Sequence, residues 1–577
     1  MRKITFIFSL IIFLGIGLGA QAASLGEQAT FNIEPSYDLS ARSEITATLR
    51  RMSPSLYFYI DDSWWASLTF DRQIAVFDSL TPLAEEFENK IYPTLTQTFG
   101  EEWKPGIDKD TRITILIHPM KEGAGGYWNS TDEYLRTQYP TSNEREMIYL
   151  NARAIDSAMA KIYLAHEFQH LIAFNQKTKL RGVVEDVWLN EARSEYTATL
   201  LGYDVNYEGS NLQQRVRNFL DRPYDSLTEW QNKSSDYGVI NLFIQYLVDR
   251  FGIGILSTSL MIQKAGIASI DEALKQIGHQ EDFSQVFNDW LLASYLNDCN
   301  LSQNYCYLNQ NLKNFRVTPL TNFIPILGQS TLSIVNTTKD WAGNWFKFVG
   351  GRGALKIEFT SRPEAKFKVP YVIVDSTGKI SISFMDLNST GKGVILIPDF
   401  GAKIASLVIM PSVQNKTSNF TNSDPAYQFS WTASTTETIT LSPSPSPSPP
   451  PSSSPSPTPS LTIEQLLSQI AVLQKEITRL QAQLLALSAS NQNQISCQKF
   501  EQDLYFGLTN NNEVRCLQEF LKSRGGEIYP VSLITGNFLN LTFEAVKKYQ
   551  ASRGIIQTGY FGPLTRAAAN QDLTSNL

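Results

Sequence analysis

Two histidines four residues apart, with a glutamate directly after the first, form the run His166-Glu167-Phe168-Gln169-His170. On a helix, positions i and i+4 share one face, so both imidazoles reach a common ion while Glu167 points beside it. Such a set suits zinc as the metal and a carboxylate as the general base that activates water against a carbonyl. The whole chain holds four histidines, so half of them stand in this run. A zinc hydrolase needs a third protein ligand and an open position for water. The segment Trp188-Leu189-Asn190-Glu191-Ala192-Arg193-Ser194-Glu195-Tyr196 supplies Glu191, 21 residues after His170, and a helix-loop-helix return would bring it alongside. The oxyanion formed on attack calls for a donor. Tyr237, at the start of a helical pattern, is the candidate, with a core or capping role as its alternative; His279, at an apparent helix end, ranks below it. His118 reads as a strand-end residue. The turn Gly123-Ala124-Gly125-Gly126-Tyr127 is either a plain glycine-rich loop or a place where a substrate backbone lies along an edge strand.

Elements able to carry these groups follow from periodicity. A first strand is expected at residues 55–60 and a half-buried one at 112–117, with Ile113, Ile115 and Ile117 on one face. An amphipathic helix is expected at 78–99, the histidine-bearing helix at 157–174, and further helices at 237–251 and 283–295. The expected body, residues 23–312, is α+β and becomes mostly helical. Over 313–436 the texture changes to short runs of Val, Ile, Phe and Thr between Gly, Asn, Asp and Pro, which suggests an all-β, antiparallel sandwich.

Taken together, the motifs around residues 165–172 and 188–196 resemble gluzincin metallopeptidases, which join H-E-x-x-H to a downstream N-E motif, and look closest to the hyicolysin-like peptidases. The resemblance implies a zincin-like fold, His166, His170 and Glu191 as zinc ligands, Glu167 as general base, and for Glu195 the role of holding a ligand histidine. The chain departs from that pattern at Ala192-Arg193, where relatives often have Gly and an apolar residue.

With 577 residues the chain should divide into several domains. A net charge of −7, with a pI near 5.4 and no basic patch, argues against a nucleic-acid partner. Met1-Arg2-Lys3, an apolar run and Ala20-Gln21-Ala22 read as a secretory signal over residues 1–22, the alternative being a retained anchor. Export to an oxidising compartment suits two local disulfides, Cys299 with Cys306 and Cys497 with Cys516. Residues 437–460, almost only Ser, Pro and Thr at their centre, read as an extended linker. Residues 461–490 follow as a helix in which Ile463, Leu466, Ile470, Leu473, Ile477, Leu480, Leu484 and Leu487 form a heptad seam. That seam is expected either to pair two copies in a parallel coiled coil or to dock as a single amphipathic helix.

Residues 513–521, 534–538, 542–550 and 558–565 resemble the peptidoglycan-binding domain family, here spanning 493–577. A small helical bundle is expected, with Leu517, Leu521, Val546 and Tyr549 in its core, Gly536 and Gly559 in turns, and Thr542 and Thr565 at helix caps. Leu539 stands where relatives usually have Gly. The family implies attachment to cell-wall glycopeptide; such folds also serve as docking or spacing modules. The expectation is therefore a secreted or wall-associated zinc endopeptidase acting on protein or peptide. Its alternatives are a peptidase of peptidoglycan cross-links and a non-catalytic wall adhesin on a zincin-fold scaffold.

Overall fold

The computed structural model describes residues 23–325, 329–436, 499–505, 508, 511–529, 534–538, 540–555 and 557–574. The signal at 1–22, the linker at 437–460, the seam from Ile463 to Leu487, Cys497 and Leu539 lie outside the described residues. The chain forms two compact units, Met1–Pro443 and Ser444–Leu577.

The first unit begins with a mixed sheet built from β1 (Gln28–Asn32), β2 (Glu44–Met52), β3 (Leu56–Asp61), β4 (Ile113–His118), β5 (Gly126–Tyr127) and β6 (Met147–Asn151). Their order is β1-β2-β3-β4-β6-β5, with β3, β4 and β6 parallel and β5 antiparallel at the edge. Two strands thus precede the one expected first. β4 is buried along its whole length rather than half-buried. Ile113, Ile115 and Ile117 face the helices, while Leu116 packs on the other side with Tyr57, Tyr59, Met147 and Tyr149. Central parallel strands are covered on both faces, which hides the alternation of a one-sided strand.

Among the described residues of this unit ten α-helices follow the chain: α1 (Asp62–Ser67), α2 (Phe70–Glu86), α3 (Tyr92–Phe99), α4 (Ala160–Ala173), α5 (Val187–Leu200), α6 (Asn211–Asp221), α7 (Ser234–Phe251), α8 (Gly254–Met261), α9 (Gly266–Gln276) and α10 (Phe283–Leu296). The helix expected at 78–99 starts earlier, at Phe70, where the Thr69 hydroxyl accepts from the Arg72 amide. It passes through a π-turn at Phe87–Ile91, just before Pro93, whose missing amide proton would otherwise leave a gap in the ladder. α4 packs on α5, and α5 on α7. α7 buries most of its length, so the histidine-bearing helix lies between the sheet and a helical core. Cys299 and Cys306, just after α10, are disulfide-bonded.

Strands β7 (Leu320–Ile324), β8 (Thr331–Thr338), β9 (Phe346–Gly350), β10 (Gly353–Ser361), β11 (Phe367–Lys368), β12 (Pro370–Asp375), β13 (Ile380–Phe384), β14 (Lys392–Phe400), β15 (Ile404–Ile409), β16 (Ser412–Val413) and β17 (Tyr427–Thr436) make the β region. Two layers, β7-β9-β15-β12-β13 and β14-β10-β17-β8, are joined where β14 and β15 share one pair, Phe400 with Ile404. Alternate residues of β10, β14 and β17, among them Ile357, Ile395 and Trp431, meet Phe348, Leu407 and Ile409 in a core between the layers. The pairing is antiparallel as expected, apart from β7 with β9 and the single β14–β15 pair. Val372, Val408 and Met410 instead join the helical core, and the Trp345 indole donates to the Leu291 carbonyl of α10 at 3.1 Å.

The second unit packs α11 (Asn512–Ser523), α12 (Asn540–Ser552) and α13 (Pro563–Thr574) around Leu517, Leu521, Val546 and Tyr549. Gly536 and Gly559 adopt φ of 74° and 73°, a conformation that favours glycine. Thr542 and Thr565 are not caps: each is the third residue of its helix and buried. Their hydroxyls accept from Gln518 and Gln550, both at 2.9 Å. The same two carboxamides accept the Gly536 and Gly559 amides, both at 2.9 Å, so one hydrogen-bonded device occurs twice. Cys516 is disulfide-bonded.

Candidate metal centre

α4 carries His166, Glu167 and His170, and α5, after one return of the chain, carries Glu191 and Glu195. Ligand atoms of His166, His170 and Glu191 all lie within 4.8 Å of one another. The Glu191 carboxylate spans both rings, with one oxygen 3.2 Å from His166 Nε2 and the other 3.6 Å from His170 Nε2. Two atoms bound at about 2 Å to a tetrahedral ion stand about 3.3 Å apart. Both separations from Glu191 are close to this value, and all three donors are of the types zinc takes.

The far side of each imidazole is also engaged. His166 Nδ1 lies 3.5 Å from Glu195, and His170 Nδ1 lies 3.3 Å from the Ser194 hydroxyl, which leaves both Nε2 atoms for the ion. Glu195 is held in turn by Arg215 of α6, whose Nε and Nη2 donate to its two oxygens at 2.7 Å each, and by the Asn211 and Asn241 amides at 3.2 Å. Sequence reasoning missed Arg215, Asn211 and Asn241; the only signal was that a buried carboxylate needs a cation. It also missed Trp128, whose ring stacks on His170 at 5.9 Å. The departure at Ala192-Arg193 has a cause, because Arg193 is fully buried and its Nη1 meets Glu185 at 2.7 Å.

Three acidic groups in a small volume disturb one another. Burial, with Glu191 and Glu195 adding to it and His166 opposing, pushes the Glu167 carboxyl up to about 8. Burial opposes charging His166, yet its hydrogen bond to Glu191 and the charges of Glu167, Glu191 and Glu195 hold it up to about 9. Burial drives His170 down to about 4. Glu167 also lies against the sheet edge: a Cβ on Gly126 would come within 3.3 Å of its Cγ. β5 therefore runs beside the acid, and a Cβ on the preceding Gly125 would strike the Tyr163 ring at 2.3 Å.

Tyr237, in the first turn of α7, lies under the Arg215 guanidinium at 4.7 Å, and its hydroxyl donates to Asn232 at 3.0 Å. Burial and then the charges of Glu191, Glu195 and Glu167 raise its pKa. His118 ends β4, fully buried and 3.2 Å from Asp38. His279 contacts Phe251 and Glu281 rather than the cluster.

Residues 510–569 match the family model of a peptidoglycan binding domain. A curated protein, the neutral metalloprotease ShpI of Staphylococcus hyicus, is 32% identical over 189 residues, which is 29% of this chain. The chain spans 41% of the length of that relative. Among solved structures, the lysozyme inhibitor PliG of Aeromonas hydrophila is 10% identical with a TM-score of 0.13, covering 20% of this chain and 98% of that one. The pre-peptidase C-terminal domain of a Bacillus anthracis collagenase is 11% identical with a TM-score of 0.13, covering 20% and 96%. Likenesses this slight carry no weight for fold or function.

Proposed function

We propose that the chain is an exported zinc endopeptidase of zincin-like fold, held at the cell wall by its C-terminal unit. The observation that carries this reading is the cluster itself: two imidazoles and one carboxylate converge through their outer atoms, each imidazole is engaged on its far side, and a second carboxylate, Glu167, stands beside them. Similarity to a neutral metalloprotease and to a peptidoglycan binding domain supports both halves. His166, His170 and Glu191 would hold zinc, which supplies a Lewis acid and brings the pKa of its water toward neutrality.

The chain's own groups do the rest. Glu167 takes the proton of the attacking water and passes it to the leaving nitrogen. Glu195, itself clamped by Arg215, fixes the His166 ring through Nδ1, so that its outer nitrogen faces the ion's place. The edge of β5 offers backbone groups to an extended peptide, so that the scissile carbonyl lies beside Glu167. A match to a peptidoglycan binding domain makes wall cross-link peptides the second substrate class to test.

The experiment is hydrolysis of denatured protein and of purified wall peptides by the zinc-loaded mature chain, beside Glu167→Gln. Removal of a general base costs about 10²–10⁴-fold, so the variant should keep its zinc and lose cleavage by that factor. Bound zinc with no cleavage of either substrate by the unaltered chain would favour the wall adhesin instead.

A further inference from the structure

Two tyrosines from distant parts of the chain meet at one carboxamide near the metal cluster. Tyr37 comes from the segment between β1 and β2, and Tyr237 from the first turn of α7. Asn232 stands between them with φ of 57°, a left-handed conformation that Asn adopts more readily than most residues. Its Oδ1 accepts from the Tyr237 hydroxyl at 3.0 Å, and its Nδ2 donates to the Tyr37 oxygen at 3.4 Å. A carboxamide used in this way treats the two phenols differently. Tyr237 commits its single proton to Asn232, whereas Tyr37 is an acceptor there and keeps its own O–H to donate elsewhere.

The position of Tyr37 is built, not incidental. Its ring stacks on Tyr127 at 4.8 Å and 11°, and Tyr127 stacks on Tyr149 at 4.1 Å. Tyr127 directly follows Gly126, the residue that faces Glu167. The Lys121 amide donates to the Tyr37 carbonyl at 2.9 Å, and the Lys121 ammonium to the Pro35 and Ser36 carbonyls at 3.2 and 2.8 Å. The next residue, Asp38, is fully buried between His118 and Arg42. The otherwise unused His118–Asp38 pair thereby anchors the arm that delivers Tyr37. Burial first, with Glu191 and Glu167 contributing, raises the Tyr37 pKa and keeps the phenol protonated at neutral pH.

We propose that Tyr37 is the hydroxyl that donates to the carbonyl oxygen under attack, and that Asn232 is the positioning residue that leaves Tyr37, rather than Tyr237, with a free proton. This deepens the metallopeptidase reading and rests on it. Tyr37→Phe keeps the ring stack and removes only the donor. Asn232→Asp keeps shape and backbone preference but accepts from both phenols, so it takes the Tyr37 proton while the ring stays.

The test uses the full-length zinc-loaded chain with Tyr37→Phe, Tyr237→Phe and Asn232→Asp. It reads kcat and KM on a peptide substrate and, by calorimetry, affinity for a phosphinic peptide and for its carboxylic product. Loss of an oxyanion donor costs about 100-fold. Tyr37→Phe and Asn232→Asp should each lose about that factor in kcat and in phosphinic-peptide affinity, with KM, product affinity and melting temperature nearly unchanged. Tyr237→Phe should lose less than about tenfold. Wild-type kcat and phosphinic-peptide affinity in Tyr37→Phe, or a larger loss in Tyr237→Phe, would overturn the assignment. A zinc-bound wild type without turnover would count against the peptidase reading, and the calorimetric arm would still decide the role of Tyr37.

Discussion

Protons, more than distances, separate the metal-free cluster from a loaded one. Without a cation, His166 is held up to about 9 and Glu167 up to about 8, so both carry a proton at pH 7. A dication requires His166 neutral and favours Glu167 ionised, so its arrival expels protons from both. His170, driven to about 4, has none to give near neutrality. Calorimetric zinc titrations at neutral pH, in buffers of different ionisation enthalpy, should report about one to two protons released per ion, with apparent affinity rising until the pH reaches about 9. Release of none would contradict the ligand set. The residues that set these values were unequally legible. Helical spacing points directly to His166 and His170, the N-E pattern to Glu191, and the family resemblance to Glu195 one turn further on. Arg215 is one of 49 cations with no local signature, and Tyr37 lies in an arm whose strands β1 and β2 went unread.

Between elements, buried charge fixes how α5 approaches α4. Glu185 receives Arg193 of α5 at 2.7 Å, the Gly266 amide of α9 at 2.6 Å, and stands 3.5 Å from Lys177 in the π-turn that follows α4. The Arg193 and Lys177 side chains are 0% and 1% exposed, so Glu185→Gln leaves two cations buried against a neutral amide. Breaking such a network costs about 3–5 kcal/mol, and urea unfolding should register a loss of that size. A second pair works in the opposite sense. Glu133, at the end of a 3-10 turn, and Glu146, just before β6, face each other in the interior; burial first and then their mutual repulsion raise Glu133, and burial holds Glu146 up to about 7. Raised folded-state values mean that this pair's contribution is fully present below about pH 4 and is lost as pH rises through about 7. Glu133→Gln should therefore melt higher than wild type at pH 8 and near it at pH 4.5; a constant offset between those two pH values would show that the pair does not titrate there. Neither contact was visible in the sequence, because an interior carboxylate and a surface one are the same letter.

Taken as a whole, the chain separates at its Ser/Pro run into two units that should act independently. A chain ended at Pro443 is expected to cleave a soluble peptide with the kcat/KM of the full protein and to lose co-sedimentation with cell-wall sacculi; retained sedimentation would place the wall contact in the first unit. Sequence alone points to this division and to the imidazole pair, because composition and helical periodicity are local properties. It points also to the C-terminal core of Leu517, Leu521, Val546 and Tyr549, though not to the Gln518 and Gln550 device that repositions Thr542 and Thr565 as buried acceptors. Tertiary structure decided what depends on contacts between distant segments. The β layers share a core with the helices through Val372, Val408 and Met410, since an apolar residue facing outward toward a helix reads like one facing inward. Glu191 meets both histidines, Arg215 clamps Glu195, and Tyr37 reaches the carboxamide that holds Tyr237 only because the order of strands and the packing of α4 to α7 bring those segments together, and no periodicity encodes that.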